Sequence, residues 1–136
     1  KVTIIDSLNK RIKFLDVLCK ELDIDVTLIH GRAEEHKFKN SYDLVTARAV
    51  ARLNILSELC IPFVKKDGYF LALKGPNYNE ELKDALSAFK TLNSSVEDIY
   101  KYEISGLKRS LLIIKKNKDS ASKYPRQFGK IKANPL

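Results

Sequence analysis

Short β-branched runs alternate along this chain with stretches whose apolar residues recur every three or four positions, the spacings that buried strand and helix faces impose. "KVTIID" reads as a strand, and Leu8, Ile12, Leu15, Cys19 and Leu22 after it share one helical face, with Cys19 acting as a small core hydrophobe. "VTLIH" (26–30) is a second strand, followed by a polar turn from His30 to Asn40, and "YDLVTA" (42–47) is a third. The spacing then predicts a helix over 53–64 with Leu53, Leu56, Leu59, Cys60 and Phe63 inward, closed by Lys65, Lys66 and Gly68, because cations and glycine suit helix C-termini. "YFLALK" (69–74) is a fourth strand stopped by Gly75 and Pro76, and 80–92 is a helix with Leu82, Ala85, Leu86 and Phe89 as its stripe. "VEDIYKYEI" and "RSLLIIKK" close the chain as an antiparallel pair joined by Ser105, Gly106, Leu107 and Lys108.

Three strand-to-helix alternations followed by a hairpin predict an α/β fold: an open, mostly parallel sheet covered on both faces, with an antiparallel strand near an edge. In such sheets ligands bind beyond the carboxyl ends of the strands. The residues to inspect are therefore Asp6, His30 to Glu35, Ala47 to Ala51 and Lys74 to Pro76. Arg48, a guanidinium flanked by alanines at a strand end, stands out among them.

Charge divides the chain unevenly. Residues 1–107 hold 16 Lys or Arg against 16 Asp or Glu, whereas 108–136 hold nine basic residues and only Asp119. The net charge of +8 thus lies in the tail, which reads either as a solvated terminus or as a polyanion contact, since clustered cations release counterions when they neutralise phosphates. The expected organisation is a partial α/β domain over 1–116 and a basic C-terminal tail over 117–136.

Composition excludes several classes. An apolar content of 44% supports a folded core, and no apolar run reaches the roughly 18 residues of a membrane span, so a soluble cytoplasmic protein is expected. Cys19 and Cys60 are 41 positions apart without ligand-spaced partners, and His30 and His36 flank a glycine rather than pairing on a helix, so neither a disulfide framework nor a metal site is expected. No P-loop, G-x-S-x-G or H-E-x-x-H occurs. The chain has no methionine and starts inside an apolar run, which points to a piece of a longer protein.

Among the strand-end residues, Asp6 suits either a ribose diol or the orphan amides of a helix start. The backbone and Glu34 of "HGRAEE" suit the edge of a purine ring. The five glycines, at 31, 68, 75, 106 and 129, form no G-x-G turn, so a nucleotide-binding loop would have to lie upstream of Lys1.

The blocks "VTIIDSLNKRIKFL", "HGRAEE", "YDLVTARAVA", "FLALKGP" and "KYPRQFGKIKANPL" resemble, in order and spacing, the GidB/RsmG family of guanine-N7 methyltransferases acting on small-subunit ribosomal RNA. The resemblance covers essentially the whole chain and implies the Rossmann-like, seven-stranded S-adenosylmethionine-dependent methyltransferase sheet, with the first strand, its glycine-rich loop and an amino-terminal helical segment missing here. It implies that Asp6 and Ser7 sit by the cofactor ribose, that Ala33 and Glu34 border its adenine, and that Arg48 lines the methyl-transfer pocket. Arg52 stands where many relatives have proline. The implied partners are small-subunit (16S) ribosomal RNA and the missing N-terminal part of the same protein.

The residues suit that chemistry. Guanine N7 already exposes a lone pair, so attack on a sulfonium methyl needs in-line placement more than a base. "TARAVA" lacks the Asn/Asp-Pro-Pro-aromatic pattern expected for exocyclic amine methylation, and neither thiol suits carbon-5 methylation. Arg48 could bond guanine O6 or the cofactor carboxylate. Lys74, Arg109, Lys123 and Arg126 are the expected phosphate contacts, and Tyr124 either stacks on a base or packs a corner beside Pro125. Two other readings compete: a noncatalytic RNA-binding module that relies on the tail, and a nicotinamide-dependent oxidoreductase, which has no convincing hydride-transfer partner in this sequence.

Overall fold

A computed structural model describes residues 1–48 and 51–136, which form two compact units, Lys1–Lys37 and Phe38–Leu136. In the first unit, β1 (Val2–Asp6) and β2 (Val26–His30) pair in parallel, from Val2 opposite Val26 to Asp6 opposite His30. Parallel strands need a crossover, and α1 (Asn9–Glu21) supplies it. The Asp6 side chain fixes the entry to α1, its Oδ1 accepting the Leu8 amide at 2.8 Å. After α1 the chain turns through Asp23 in the left-handed region, φ 52°.

The expected core face of α1 is not buried. Leu8 and Leu22 are 52% and 58% exposed, Cys19 is half-buried, and no residue of α1 is fully covered. Phe14 and Val17 lie off the expected stripe and are exposed too, so apolar residues surround more of the helix than two strands can cover. A unit this short is below the roughly 40 residues needed to close a core alone.

The second unit has a true core. β3 (Tyr42–Arg48), β4 (Val64–Lys74), β5 (Ser94–Ile104) and β6 (Leu107–Lys116) form a sheet in the order β3-β4-β6-β5. β3 and β4 are parallel, and β6 runs antiparallel to both its neighbours. α2 (Leu53–Cys60) and α3 (Asn79–Thr91) bury Leu53, Leu56, Ala85 and Phe89 against Phe70, Ala72, Leu112 and Ile114, which share one sheet face. The stripe expected for the 53–64 segment is buried as read, including Phe63 at 5% exposure. In α3, however, Leu86 is 57% exposed, and Ala88, together with Leu92 just past the helix end, takes the inward places.

The predicted helix over 53–64 ends early. Pro62 disfavours α geometry in the residue before it and has no amide to donate, so α2 stops at Cys60 and Ile61–Phe63 make a single 3-10 turn. Val64 already belongs to β4, and Lys65, Lys66 and Gly68 lie in an irregularity of that strand rather than at a helix end. There the register jumps from Tyr42 opposite Val64 to Leu44 opposite Tyr69. Gly68 is required by close approach: a Cβ on it would lie 2.6 Å from the Asp43 carbonyl oxygen. The closing hairpin turns on two residues, Ser105 and Gly106, both at positive φ, while Leu107 and Lys108 are already in β6.

The C-terminal residues pack into the second unit. Tyr124 and Ile131, the latter in α4 (Phe128–Ala133), are buried in its core. Lys39 Nζ donates to the Ser122 carbonyl at 2.9 Å. No helix among the described residues is long and apolar enough to cross a membrane.

Candidate functional site

In the first unit the parallel register places Asp6 beside His30, so the residues that follow both strands emerge from the same sheet end. His30 Nε2 lies 3.2 Å from the Ser7 carbonyl oxygen and ties the two strand exits together. The Gly31 amide donates to the Asp6 carbonyl at 3.1 Å. Asp6 serves the helix entry through Oδ1 while Oδ2 meets Arg11 at 3.3 Å, an exposed guanidinium. Asp6 thus does not cap the helix's own amides, as a helix-start aspartate suggested, but closes a two-residue turn onto Leu8, the residue before α1, and this leaves a carboxylate oxygen held, among the described residues, only by a solvent-exposed partner. Ala33 opens a 3-10 turn, Ala33–Glu35, and Glu34, 9% exposed, accepts Arg32 Nε at 2.8 Å. That hydrogen bond, reinforced by the charge of Glu34, raises the Arg32 pKa. Asp6, Ser7, Ala33 and Glu34 therefore share one end of one small sheet.

The second unit gathers a different set. Arg48 is the last residue of β3, exposed, and opposite Leu73 of β4. The stretch Ala47 to Ala51 that drew attention in the sequence includes Ala49 and Val50, which lie outside the described residues. Lys74 is opposite Ser110, so Arg109 enters β6 at the same sheet end. Adjacent residues of a strand point to opposite faces, so Lys74 faces the helices whereas Arg48 shares the face of Leu73.

That orientation decides what Lys74 does. Its side chain is 11% exposed, and its ammonium donates to the Ala51 carbonyl at 2.9 Å and to Glu81 Oε2 at 2.7 Å. The same Glu81 oxygen accepts the Leu53 amide at 2.8 Å, satisfying a donor at the start of α2. Arg52, the residue before α2, pairs through its side chain with Asp84 at 2.9 Å on the surface.

Two expected phosphate contacts are thus engaged elsewhere. Lys74 holds a loop and a helix start. Arg126 donates Nε to Glu58 Oε1 at 2.8 Å and NH2 to Glu58 Oε2 at 2.6 Å, and its own amide also bonds Oε1 at 2.9 Å. Glu58 is fully buried, so its partner is committed to it, and these hydrogen bonds raise the Arg126 pKa. Arg109 and Lys123 remain exposed, Arg109 NH1 donating to the Lys108 carbonyl and Lys123 lying 5.2 Å from the Tyr124 ring centre. Tyr124 itself is 7% exposed and packs a corner rather than offering a stacking face.

Glu81 and Glu58 were missed in the sequence. Glu81 is 28 positions from the amide it bonds, a pairing no local pattern shows. Glu58 did carry a signal: a carboxylate inside "LNILSELC", on a helix buried nearly all round, demands a cationic partner.

Residues 1–112 match the family model described as "GidB: rRNA small subunit methyltransferase G". The chain is 47% identical over 143 aligned residues to ribosomal RNA small subunit methyltransferase G of Clostridium botulinum (strain Loch Maree / Type A3), covering 100% of this chain and 60% of that relative. The protein of the same name from Staphylococcus epidermidis is 48% identical, with 100% and 59% covered. The chain thus spans about 60% of the length of these relatives. Among solved structures, a SAM-dependent methyltransferase from Methanosarcina mazei superposes with a TM-score of 0.68 at 11% identity, covering 87% of this chain and 82% of that one. An rRNA methylase from Streptococcus thermophilus gives 0.61 at 10% identity, with 87% and 74% covered. The fold is that of the S-adenosylmethionine-dependent methyltransferases, as the strand order and the antiparallel β6 anticipate, and by the match over 1–112 the chain belongs to the GidB family.

Proposed function

We propose that this protein transfers a methyl group from S-adenosylmethionine to N7 of a guanine in small-subunit (16S) ribosomal RNA. The observation that carries the reading is the gathering of Asp6, Ser7, Ala33 and Glu34 at the carboxyl ends of β1 and β2, in a chain of this family. The residues fit the cofactor: the Asp6 carboxylate has one oxygen on an exposed arginine, available to a ribose diol, and the turn at Ala33 and Glu34 offers a polar rim for adenine. When bound, the cofactor supplies an electrophilic sulfonium methyl.

The chain's own residues position rather than activate. Guanine N7 needs no proton removed, and in-line placement supplies most of the acceleration. Arg48, exposed at the end of β3 and without a hydrogen-bond or ion-pair partner among the described residues, is assigned to the target base, donating to guanine O6. Arg109 and Lys123 are assigned to RNA phosphates, which fix register without reading sequence.

The test is methyl transfer by the intact protein to deproteinated small-subunit RNA with labelled S-adenosylmethionine, mapping the modified atom. N7-methylguanine is expected; label on an exocyclic amine or a ring carbon overturns the reading. Arg48→Ala should cut turnover at least tenfold, about 1.4 kcal/mol of transition-state stabilisation, with the melting temperature nearly unchanged. If RNA binding is tight but no methyl group moves, the noncatalytic module is the better account.

A further inference from the structure

The carboxyl ends of β3 and β4 hold a closed ring of polar contacts. Glu81 Oε2 accepts both Lys74 Nζ, at 2.7 Å, and the Leu53 amide, at 2.8 Å, while Lys74 Nζ also donates to the Ala51 carbonyl at 2.9 Å. Two nearby points of the chain, Ala51 and Leu53, are thus held by groups from the end of β4 and the first turn of α3. Between them Arg52 reaches Asp84, one turn further along α3. The Lys74–Glu81 pair is 11% and 27% exposed, so solvent screens it less than a surface pair.

Arg48 stands three residues before Ala51. Three peptide units reach at most about 11 Å, so the held Ala51 lies within that distance of Arg48. We propose that Lys74 and Glu81 are positioning residues for the segment 51–53 that follows the strand carrying Arg48, a role distinct from the phosphate contact that a lysine at a strand end suggests. The proposal rests on the methyl-transfer reading for its consequence in turnover, and on the geometry alone for the clamp.

In-line displacement is sensitive to placement, and an error of 1 Å costs on the order of a hundredfold. A loosened segment 51–53 therefore lowers turnover more than affinity. Burial pulls the Glu81 carboxyl upward, but the hydrogen bonds from Lys74 and Leu53 outweigh it and leave the pKa below the ordinary value. The clamp is consequently complete above the ordinary glutamate range and opens as pH falls through the lowered pKa.

The test uses the intact protein with Lys74→Met, Lys74→Arg and the isosteric Glu81→Gln. Lys74→Met should lower kcat at least tenfold, leave KM for RNA within threefold and leave the salt dependence of RNA binding unchanged, with Lys74→Arg recovering most of the loss. Amide exchange at Leu53 should lose at least tenfold in protection in Lys74→Met and Glu81→Gln, and in the wild type on acidification. Weaker RNA binding with a shallower salt dependence and retained kcat makes Lys74 a phosphate contact and overturns the proposal, as does lost kcat with full Leu53 protection. A wild type that moves no methyl group sinks the reaction and the positioning role together, while the exchange measurement still decides whether the clamp exists.

Discussion

Glu58 and Arg126 show how a residue's neighbours decide its function. In sequence Arg126 is one of nine tail cations, yet in the fold it is held bidentately by a carboxylate that has no access to water. Removing one partner of such a pair leaves a buried charge uncompensated, at about 3–5 kcal/mol. Arg126→Ala should therefore destabilise the protein by about that amount in denaturant titration, and Glu58→Leu combined with Arg126→Met should recover much of it. A near-neutral Arg126→Ala would return Arg126 to the list of free cations. Lys116 is a buried cation, 1% exposed, donating to the carbonyls of Ile61 and Val64 and to Asn40 Oδ1. Burial pushes its pKa down to about 8, with Asp119 opposing weakly. The folded state therefore sheds this proton before the unfolded chain does. Wild-type stability should rise relative to Lys116→Met between about pH 8 and the ordinary lysine value near 10.4, and a flat difference across that window would contradict the assignment.

Elements formed where their local signals agreed and shifted where one residue vetoed the pattern. The apolar stripe of 53–64 was legible, but its C-terminal boundary was set by Pro62, which the stripe conceals. Gly68 looked like a helix terminator and is instead the residue whose missing side chain lets β4 pass the Asp43 carbonyl. Gly68→Ala should accordingly destabilise by about 1–3 kcal/mol, the usual cost of forcing extra volume into a packed site, whereas Gly31→Ala, with open space around the added carbon, should be close to neutral. Equal melting temperatures for the two variants would remove the steric argument. The expected stripe of α1 failed for another reason: periodicity reports which face is apolar, not whether anything covers it.

At the scale of the whole molecule, the excess positive charge identified in 108–136 is not a loose tail. Tyr124, Arg126 and Ile131 anchor it, so its exposed cations are presented from a packed surface. Arg109→Ala and Lys123→Ala should each weaken RNA binding uniformly across sequences and reduce the slope of log affinity against log salt by about one, with stability unchanged. An unaltered slope in both variants would place the RNA elsewhere.

The sequence by itself determined the order of strands and helices, the carboxyl-end location of Asp6, Glu34 and Arg48, and the family, because periodicity, breakers and motif blocks are all local in the chain. Only the tertiary structure decided which charges are free. Lys74 and Glu81, Leu53 and Glu81, and Glu58 and Arg126 meet across 7, 28 and 68 positions. Once such groups are buried together, the cost of leaving a charge unpaired fixes their role more firmly than residue type does.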